Sequence, residues 1–106
     1  LLRSPHTLCL PFVFGTTDAA VGLVGEGDEQ RKLEQQMADA WVAFARTGDP
    51  NHPGLAPWRP YSTSSRTTMV FDSDSRSEDD PGAAERRALE GCPPYLANET
   101  EGGRRT

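Results

Sequence analysis

The sequence predicts an incomplete α/β unit, in which one long helix and one late strand lack the sheet that they would need. Residues from Asp28 to Arg46 combine helix-forming residues with an apolar stripe at three- and four-residue steps. Residues from Arg66 to Asp72 have the pattern of a partly buried strand, and no second strand is evident beside it. Because a lone strand is not stable, we expect a sheet that is largely missing from this chain.

Composition limits the size of the core and the kinds of partner. The chain has 106 residues, of which 35% are hydrophobic. That fraction is below the roughly 45–50% of globular domains. Most apolar residues precede residue 72, so we expect an organised part at 1–95 and a disordered polar tail at 96–106. A net charge of −5 and a single lysine argue against a nucleic-acid partner.

The chain reads as soluble, with no membrane span expected, because no apolar run approaches the ~18 residues that a spanning helix requires. The two cysteines, Cys9 and Cys92, lie far apart in sequence and match neither a redox pair nor a zinc-ligand spacing. They are compatible with a bridge or with free thiols. Cysteine usage therefore leaves the compartment open between cytoplasmic and secreted.

The first third of the chain predicts irregular backbone. The segment Leu8–Gly15 is apolar without clean alternation, and Pro11 argues against a central strand or a helix interior, which predicts a buried, extended loop. Three glycines between residues 16 and 27 argue against a long regular element there.

The long amphipathic helix has signals at both ends. We expect Asp28 to cap its N-terminus, helical residues from Gln30 to Arg46, and a left-handed Gly48 followed by Pro50 to end it. Its apolar stripe is expected to belong to the core and consists of Leu33, Met37, Ala40, Trp41, Phe44 and Ala45.

The second half alternates loops with short elements. The proline-rich residues 51–61 predict extended chain with aromatic anchors at Trp58 and Tyr61. After the late edge strand, Pro81-Gly82 predicts the start of a short terminal helix, Ala83 to Leu89, closed by Gly91.

His6 is the first candidate for chemistry, because Pro5 restricts the backbone before it and an apolar segment follows. Taken alone, one histidine beside a hydrophobic run is ordinary, and His52 in a loop is weaker still. His6 and Cys9 lack the further ligands that a metal site needs, so no metal or cofactor is expected. The glycosylation sequon at Asn98 fits chance in a polar tail better than a modified site.

Several separated motifs, in register, resemble the type-B carboxylesterase family, which includes the cholinesterases and bacterial para-nitrobenzyl esterases. The residues from His6 to Gly15, HTLCLPFVFG, are similar to the family's histidine loop, approximately His-x-x-Glu-Leu-Pro-Phe-Val-Phe-Gly. Four further segments follow in the family's order. They are the helix and turn MADAWVAFARTGDPN, the link WRPY, the strand RTTMVFD, and the terminal segment with ERRAL and PPY. The resemblance covers about residues 3 to 95 and implies a C-terminal fragment of an α/β-hydrolase fold.

The resemblance implies that His6 is the general base, and then the general acid, of a Ser, Glu or Asp, His triad acting on carboxylic esters. An imidazole takes the proton of a serine hydroxyl, which is otherwise a poor nucleophile at neutral pH. No serine of this chain lies in a G-x-S-x-G frame, and no oxyanion loop is recognisable. We therefore expect a small ester as substrate only in a complete protein, and no activity from the chain alone.

Cys9 departs from the family pattern, which has an acidic residue at that position. The alternative interpretations are a non-catalytic, esterase-like interaction module and a truncated product without its own function. Retention of His6 argues for the enzyme, and Cys9 argues for the module. An upstream G-x-S-x-G sequence would decide for the enzyme.

Overall fold

A computed structural model describes residues 3–93 of the chain. The predicted tail at 96–106, with the sequon at Asn98, lies outside these residues. Within them the elements, in chain order, are α1 (Cys9–Val13), a 3-10 turn (Thr17–Ala20), α2 (Val21–Val24), α3 (Asp28–Thr47), β1 (Thr67–Val70), β2 (Arg76–Asp79) and α4 (Ala83–Leu89).

The prediction of an extended loop at Leu8–Gly15 is wrong, because α1 occupies its centre. Pro11 is the third residue of α1, in the first turn, where its missing N–H removes no helical hydrogen bond. The segment is also only partly buried. Phe12 is in the core at 8% exposure, whereas Phe14 is 72% exposed.

The long helix α3 is confirmed, and its predicted N-cap is corrected. Gly27 occupies the cap position, and Asp28 is the first helical residue, with its carboxylate paired to Arg31 at 3.3 Å. The Asp28 carboxylate still stabilises the first turn of α3, because a negative charge interacts favourably with the N-terminal end of the helix dipole. Gly48 ends the helix in the left-handed conformation at φ 78°, as predicted, and its N–H donates to the Phe44 carbonyl at 2.8 Å.

The strand β1 is confirmed, but the prediction that it has no partner is wrong. It pairs antiparallel with β2, in a register that sets Thr67 opposite Asp79 and Val70 opposite Arg76. The sequence of β2, RSED, has no β-branched or aromatic residue, so propensity gave no signal. This hairpin is the whole sheet within residues 3–93, which agrees with a sheet largely missing.

A small core joins α3 to the hairpin. Ala40 is fully buried and packs with Leu55 and Met69, and Trp58 and Phe71 cover this cluster. The Ser75 hydroxyl lies 2.9 Å from Gln36 Oε1, which ties the hairpin turn to α3.

The aromatic residues differ from expectation in how deeply they are buried. Trp58 is partly buried and meets the Phe71 ring edge-on, at 5.8 Å between centroids. Tyr61, the second predicted anchor, is 60% exposed. Met37 belongs to the core as predicted, but Trp41 and Phe44 are 47% and 59% exposed, so the C-terminal half of the stripe is uncovered.

The terminal helix α4 spans the predicted residues. An ion pair between Arg86 and Asp80 at 2.6 Å fixes it to the end of β2. None of the helices within residues 3–93 is long and apolar enough to cross a membrane.

Candidate active site

His6 lies in a turn immediately before α1. The Leu8 N–H donates to the Pro5 carbonyl at 3.2 Å, and the Leu10 N–H donates to the Thr7 carbonyl at 3.1 Å. Thr7 has φ 73°, in the left-handed region that a β-branched residue rarely occupies. Strain of that kind costs about 1–3 kcal/mol and concentrates at functional sites. The tight turn brings the exposed His6 side chain to the surface beside α1.

The turn is held on α3 by two contacts. Phe12 of α1 is buried as the helix packs on α3. Beyond α1, the Glu34 carboxylate accepts a hydrogen bond from the Thr17 N–H at 3.0 Å and another from the Thr17 hydroxyl. Because Thr17 is almost fully buried, this pair fixes the end of the segment that carries His6.

His6 lines an open groove of about 440 Å³ between the turn, α1 and α3. Cys9 lines the same groove, so the structure brings together the two residues that the sequence singled out. Large apolar side chains from the turn before α1, from α1, from α3 and from the residue after β1 also line this groove, namely Leu8, Phe12, Leu33, Met37 and Phe71. The imidazole therefore lies beside a largely apolar surface.

Of the groups that serine-dependent ester hydrolysis requires, the lining of this groove includes a histidine but no acid. No carboxylate is among the described residues that line it, and Ser4 is the single serine there. Within residues 3–93 no cluster of three metal-ligating side chains occurs.

His52 has a structural role. Its Nε2 lies 3.0 Å from the Gln36 carbonyl oxygen, and its Nδ1 accepts a hydrogen bond from the Gly54 N–H at 3.2 Å. These partners assign the proton to Nε2 and occupy both nitrogens. His52 is therefore engaged in joining the loop to α3, and it lines a different groove from His6.

Sequence reasoning missed the residues that place His6. Glu34 is not among the residues of the predicted apolar stripe, and its hydrogen bond to Thr17 joins residues 17 positions apart. Phe71 reaches the groove from the end of β1. No local pattern signals contacts of that kind, since they arise when separate elements pack together.

A profile described as "Carboxylesterase family" matches residues 2–88. The chain belongs to the carboxylesterase family. Its sequence is 35% identical over 86 residues to the para-nitrobenzyl esterase of Bacillus subtilis (strain 168). This match covers 79% of this chain and 17% of that protein. It is 29% identical over 77 residues to the phenmedipham hydrolase of Pseudarthrobacter oxydans, covering 69% of this chain and 16% of the relative.

Solved structures support the same family assignment. A carboxylesterase of Geobacillus stearothermophilus superposes with a TM-score of 0.72 at 38% identity, covering 83% of this chain and 19% of that one. An esterase of Clostridium hathewayi superposes with a TM-score of 0.63 at 35% identity, covering 67% of this chain and 14% of that one. The fold is thus a fragment of an α/β-hydrolase, and the chain spans between 11% and 20% of the length of the relatives and solved structures that it matches.

Proposed function

We propose that this chain supplies the catalytic histidine of a serine carboxylesterase, with His6 as general base and then general acid. The observation that carries the proposal is the position of His6 on an apolar groove, in a segment whose sequence belongs to the family's pattern. We further propose that residues 1–95 are the C-terminal part of the catalytic domain and that residues 96–106 are a polar tail. The substrate is a small carboxylic ester bound in the complete protein.

The chemistry requires groups from outside this chain. A serine hydroxyl attacks the ester carbonyl while His6 takes its proton, and the protonated imidazole then gives that proton to the departing alcohol. Water repeats the cycle on the acyl-enzyme and releases the acid. With an unperturbed pKa near 6.5, histidine serves in both steps at neutral pH. The acid that orients His6 and the donors that stabilise the oxyanion come from the remainder of the domain.

A chimaera tests the role of His6. Residues 3–93 replace the matching segment of the Bacillus subtilis para-nitrobenzyl esterase, and hydrolysis of a para-nitrophenyl ester is followed by absorbance. His6→Gln is expected to lower kcat by roughly 10³-fold or more, since loss of the triad base removes most of the acceleration.

His52→Gln is the matched control, because it changes the other histidine, which lines a separate groove. It is expected to lower the melting temperature but to keep kcat near that of the parent chimaera. A His6→Gln chimaera with full kcat would overturn the proposal and favour the non-catalytic module. An equal loss of kcat in both variants would also overturn it.

A further inference from the structure

Strand β2 has the composition of the outer strand of a sheet. Three of its four residues are charged, namely Arg76, Glu78 and Asp79. A strand inside an α/β sheet is buried on both faces and is mostly apolar, whereas charged side chains are typical of edge strands. Met69 and Val70 of β1 suit the sheet interior better. Within residues 3–93 no third strand lies beside β2, so its outer edge is unpaired.

The backbone hydrogen bonds of the hairpin show which residues of β2 face this outer edge. The Asp80 N–H donates to the Arg66 carbonyl at 3.2 Å, and the register makes these two residues direct partners. Hydrogen-bonded and non-hydrogen-bonded pairs alternate along an antiparallel ladder. Arg76 and Glu78 therefore direct their N–H and C=O groups at β1. Ser77, which lies between them, directs its N–H and C=O groups at the outer edge.

The side chains of β2 alternate between the two faces of the hairpin. Arg76 and Glu78 share one face, where Arg76 Nε lies 2.5 Å from Glu78 Oε1. Ser77 lies on the other face and is paired with the buried Met69 of β1. The Ser77 Oγ is buried and has no hydrogen-bond partner within residues 3–93. Because buried hydroxyls normally have such a partner, this atom is an open hydrogen-bonding position on the edge strand.

We propose that two copies of the protein form a dimer in which the outer edges of their β2 strands pair antiparallel, with Ser77 opposite Ser77 at a two-fold axis. In this register the N–H and C=O groups of the two Ser77 residues bond to each other. Arg76 of each copy lies opposite Glu78 of the second copy. The two Ser77 hydroxyls meet on one face, where hydroxyls on opposite residues form hydrogen bonds.

The order of charges in β2 selects this register. Because the backbone groups of Ser77 face the edge, the next allowed registers differ by a shift of two residues. They set Arg76 opposite Arg76, or Glu78 opposite Glu78, and like charges directly opposite each other are destabilising. Charges on an edge strand discourage pairing with other chains, but the order Arg-Ser-Glu is complementary to itself. Strands of four residues bury little area, so we expect a weak, reversible dimer.

Sedimentation velocity of the chimaera, measured over a range of protein concentrations, tests the proposal. The unmodified Bacillus subtilis para-nitrobenzyl esterase gives the baseline. We expect the chimaera to form dimer as its concentration rises, beyond any dimer formed by the baseline protein. This inference does not depend on the catalytic role of His6, and His6→Gln should dimerise like the parent chimaera although it loses ester hydrolysis.

Two charge reversals locate the contact. Arg76→Glu and Glu78→Arg each set like charges opposite each other twice in the dimer, so each is expected to weaken dimerisation at least ~10-fold. A mixture of the two variants should associate as the parent does, because the acids of one copy then face the arginines of the other. Both variants lack the Arg76–Glu78 pair within the chain, so that pair does not explain recovery in the mixture. Arg31→Glu, the same change at an exposed position of α3, is the control and should leave dimerisation unchanged.

Disulfide trapping tests the register. Opposite residues of a hydrogen-bonded antiparallel pair have Cα atoms about 5.5 Å apart, within the roughly 4.4–6.8 Å that a disulfide spans. In a chimaera that also has Cys9→Ser and Cys92→Ser, we expect Ser77→Cys to give a covalent dimer under mild oxidation. Thr68→Cys, at an exposed position of β1, should give none.

Four results would overturn the proposal. They are a chimaera that dimerises no more than the baseline protein, charge reversals that each dimerise like the parent, a mixture that associates no better than its separate components, and equal cross-linking by Ser77→Cys and Thr68→Cys. Circular dichroism checks that each variant retains the fold of the parent chimaera. Ester hydrolysis by the His6→Gln chimaera would count against the proposed function alone.

Discussion

The Glu34 carboxylate accepts hydrogen bonds from both the N–H and the hydroxyl of Thr17, a residue with 1% exposure. Glu34→Ala leaves two buried donors without an acceptor. A lost partner of this kind costs about 1–3 kcal/mol. In the chimaera, urea unfolding should show that loss for Glu34→Ala and almost none for Gln35→Ala, an exposed neighbour. Equal midpoints for the two variants would mean that the pair does not hold the segment of His6.

The core between α3 and β1 depends on Met69, which is 6% exposed and packs with Ala40 and Leu55. Truncating a buried methionine to alanine removes about 2–5 kcal/mol, because apolar contacts are lost and a cavity remains. We expect Met69→Ala to lower the free energy of unfolding of the chimaera by that amount. Thr68→Ala, at the adjacent exposed position of β1, is the control and should have a small effect. Similar losses for both would contradict the packing described for β1.

The pair Asp80–Arg86 predicts a pH dependence. Hydrogen bonds from the Arg86 guanidinium hold the pKa of Asp80 below its ordinary value of 3.8, against the opposing effect of desolvation. A carboxylate with a lowered folded-state pKa contributes stability above its unfolded pKa, and that contribution disappears as pH falls through the folded pKa. The parent chimaera should therefore unfold at higher urea than Arg86→Ala at pH 7, and the two midpoints should converge below pH 3.8.

Arg87→Ala is the control for that series. Arg87 has only a weak charge effect on Asp80 and makes no hydrogen bond to it. At pH 7 the urea midpoint of Arg87→Ala should differ less from that of the parent chimaera than the midpoint of Arg86→Ala does. A gap between the urea midpoints of the parent and Arg86→Ala that stays undiminished as the pH is lowered would show that the guanidinium acts through packing and not through the charge of Asp80.

Cys9 shares the groove of His6, so a charge placed at this position should act on the imidazole. Cys9→Glu in the chimaera restores the acidic residue of the family pattern. A nearby carboxylate favours the imidazolium and raises the pKa of a histidine. The acid limb of the kcat/KM profile should therefore move to higher pH with Cys9→Glu and stay in place with the neutral Cys9→Gln. Coincident profiles for the two variants would place this position outside the electrostatic reach of His6.

The isolated chain should not unfold cooperatively. Within residues 3–93, only five hydrophobic residues are buried, whereas nine large ones are exposed, including Phe14 and Leu89. Burial in such a small core offsets little of the free-energy cost of the conformational entropy that is lost on folding. Differential scanning calorimetry of the purified chain should show no sharp transition, and a chromogenic short-chain ester should not be turned over. A sharp, reversible transition would refute the first expectation.

Local signals explain which parts of the fold were predictable. Helix α3 and helix α4 have helix-forming residues, acidic first turns and glycine or proline after their ends, and both lie where the sequence placed them. Three of the four residues of strand β1, Thr67, Thr68 and Val70, are β-branched. Strand β2 has no such signal and exists because a short turn returns the chain beside β1.

The candidate site was predictable only in part. The motif from His6 to Gly15 identified the histidine through its resemblance to the family. The helical turn α1 was missed because Pro11 argues against helix interiors but is tolerated in a first turn. The groove itself forms from residues up to 67 positions apart, Ser4 and Phe71 among them, and only packing brings these together.

The loop that presents Trp58 depends on one amide group. Asn51 Oδ1 accepts from the Trp58 N–H at 2.7 Å, and Asn51 Nδ2 donates to the Trp58 carbonyl at 2.9 Å and to Asp49 Oδ1 at 2.7 Å. Asn51 also lowers the pKa of Asp49. The hydrogen bond from the Asn51 backbone N–H has the largest effect, and the one from its side chain has the next largest. Deamidation of Asn51 would replace that donor with a second carboxylate oxygen, facing one carbonyl and one carboxylate. Deamidation of Asn51 alone would therefore release Trp58 from the position in which the loop holds it.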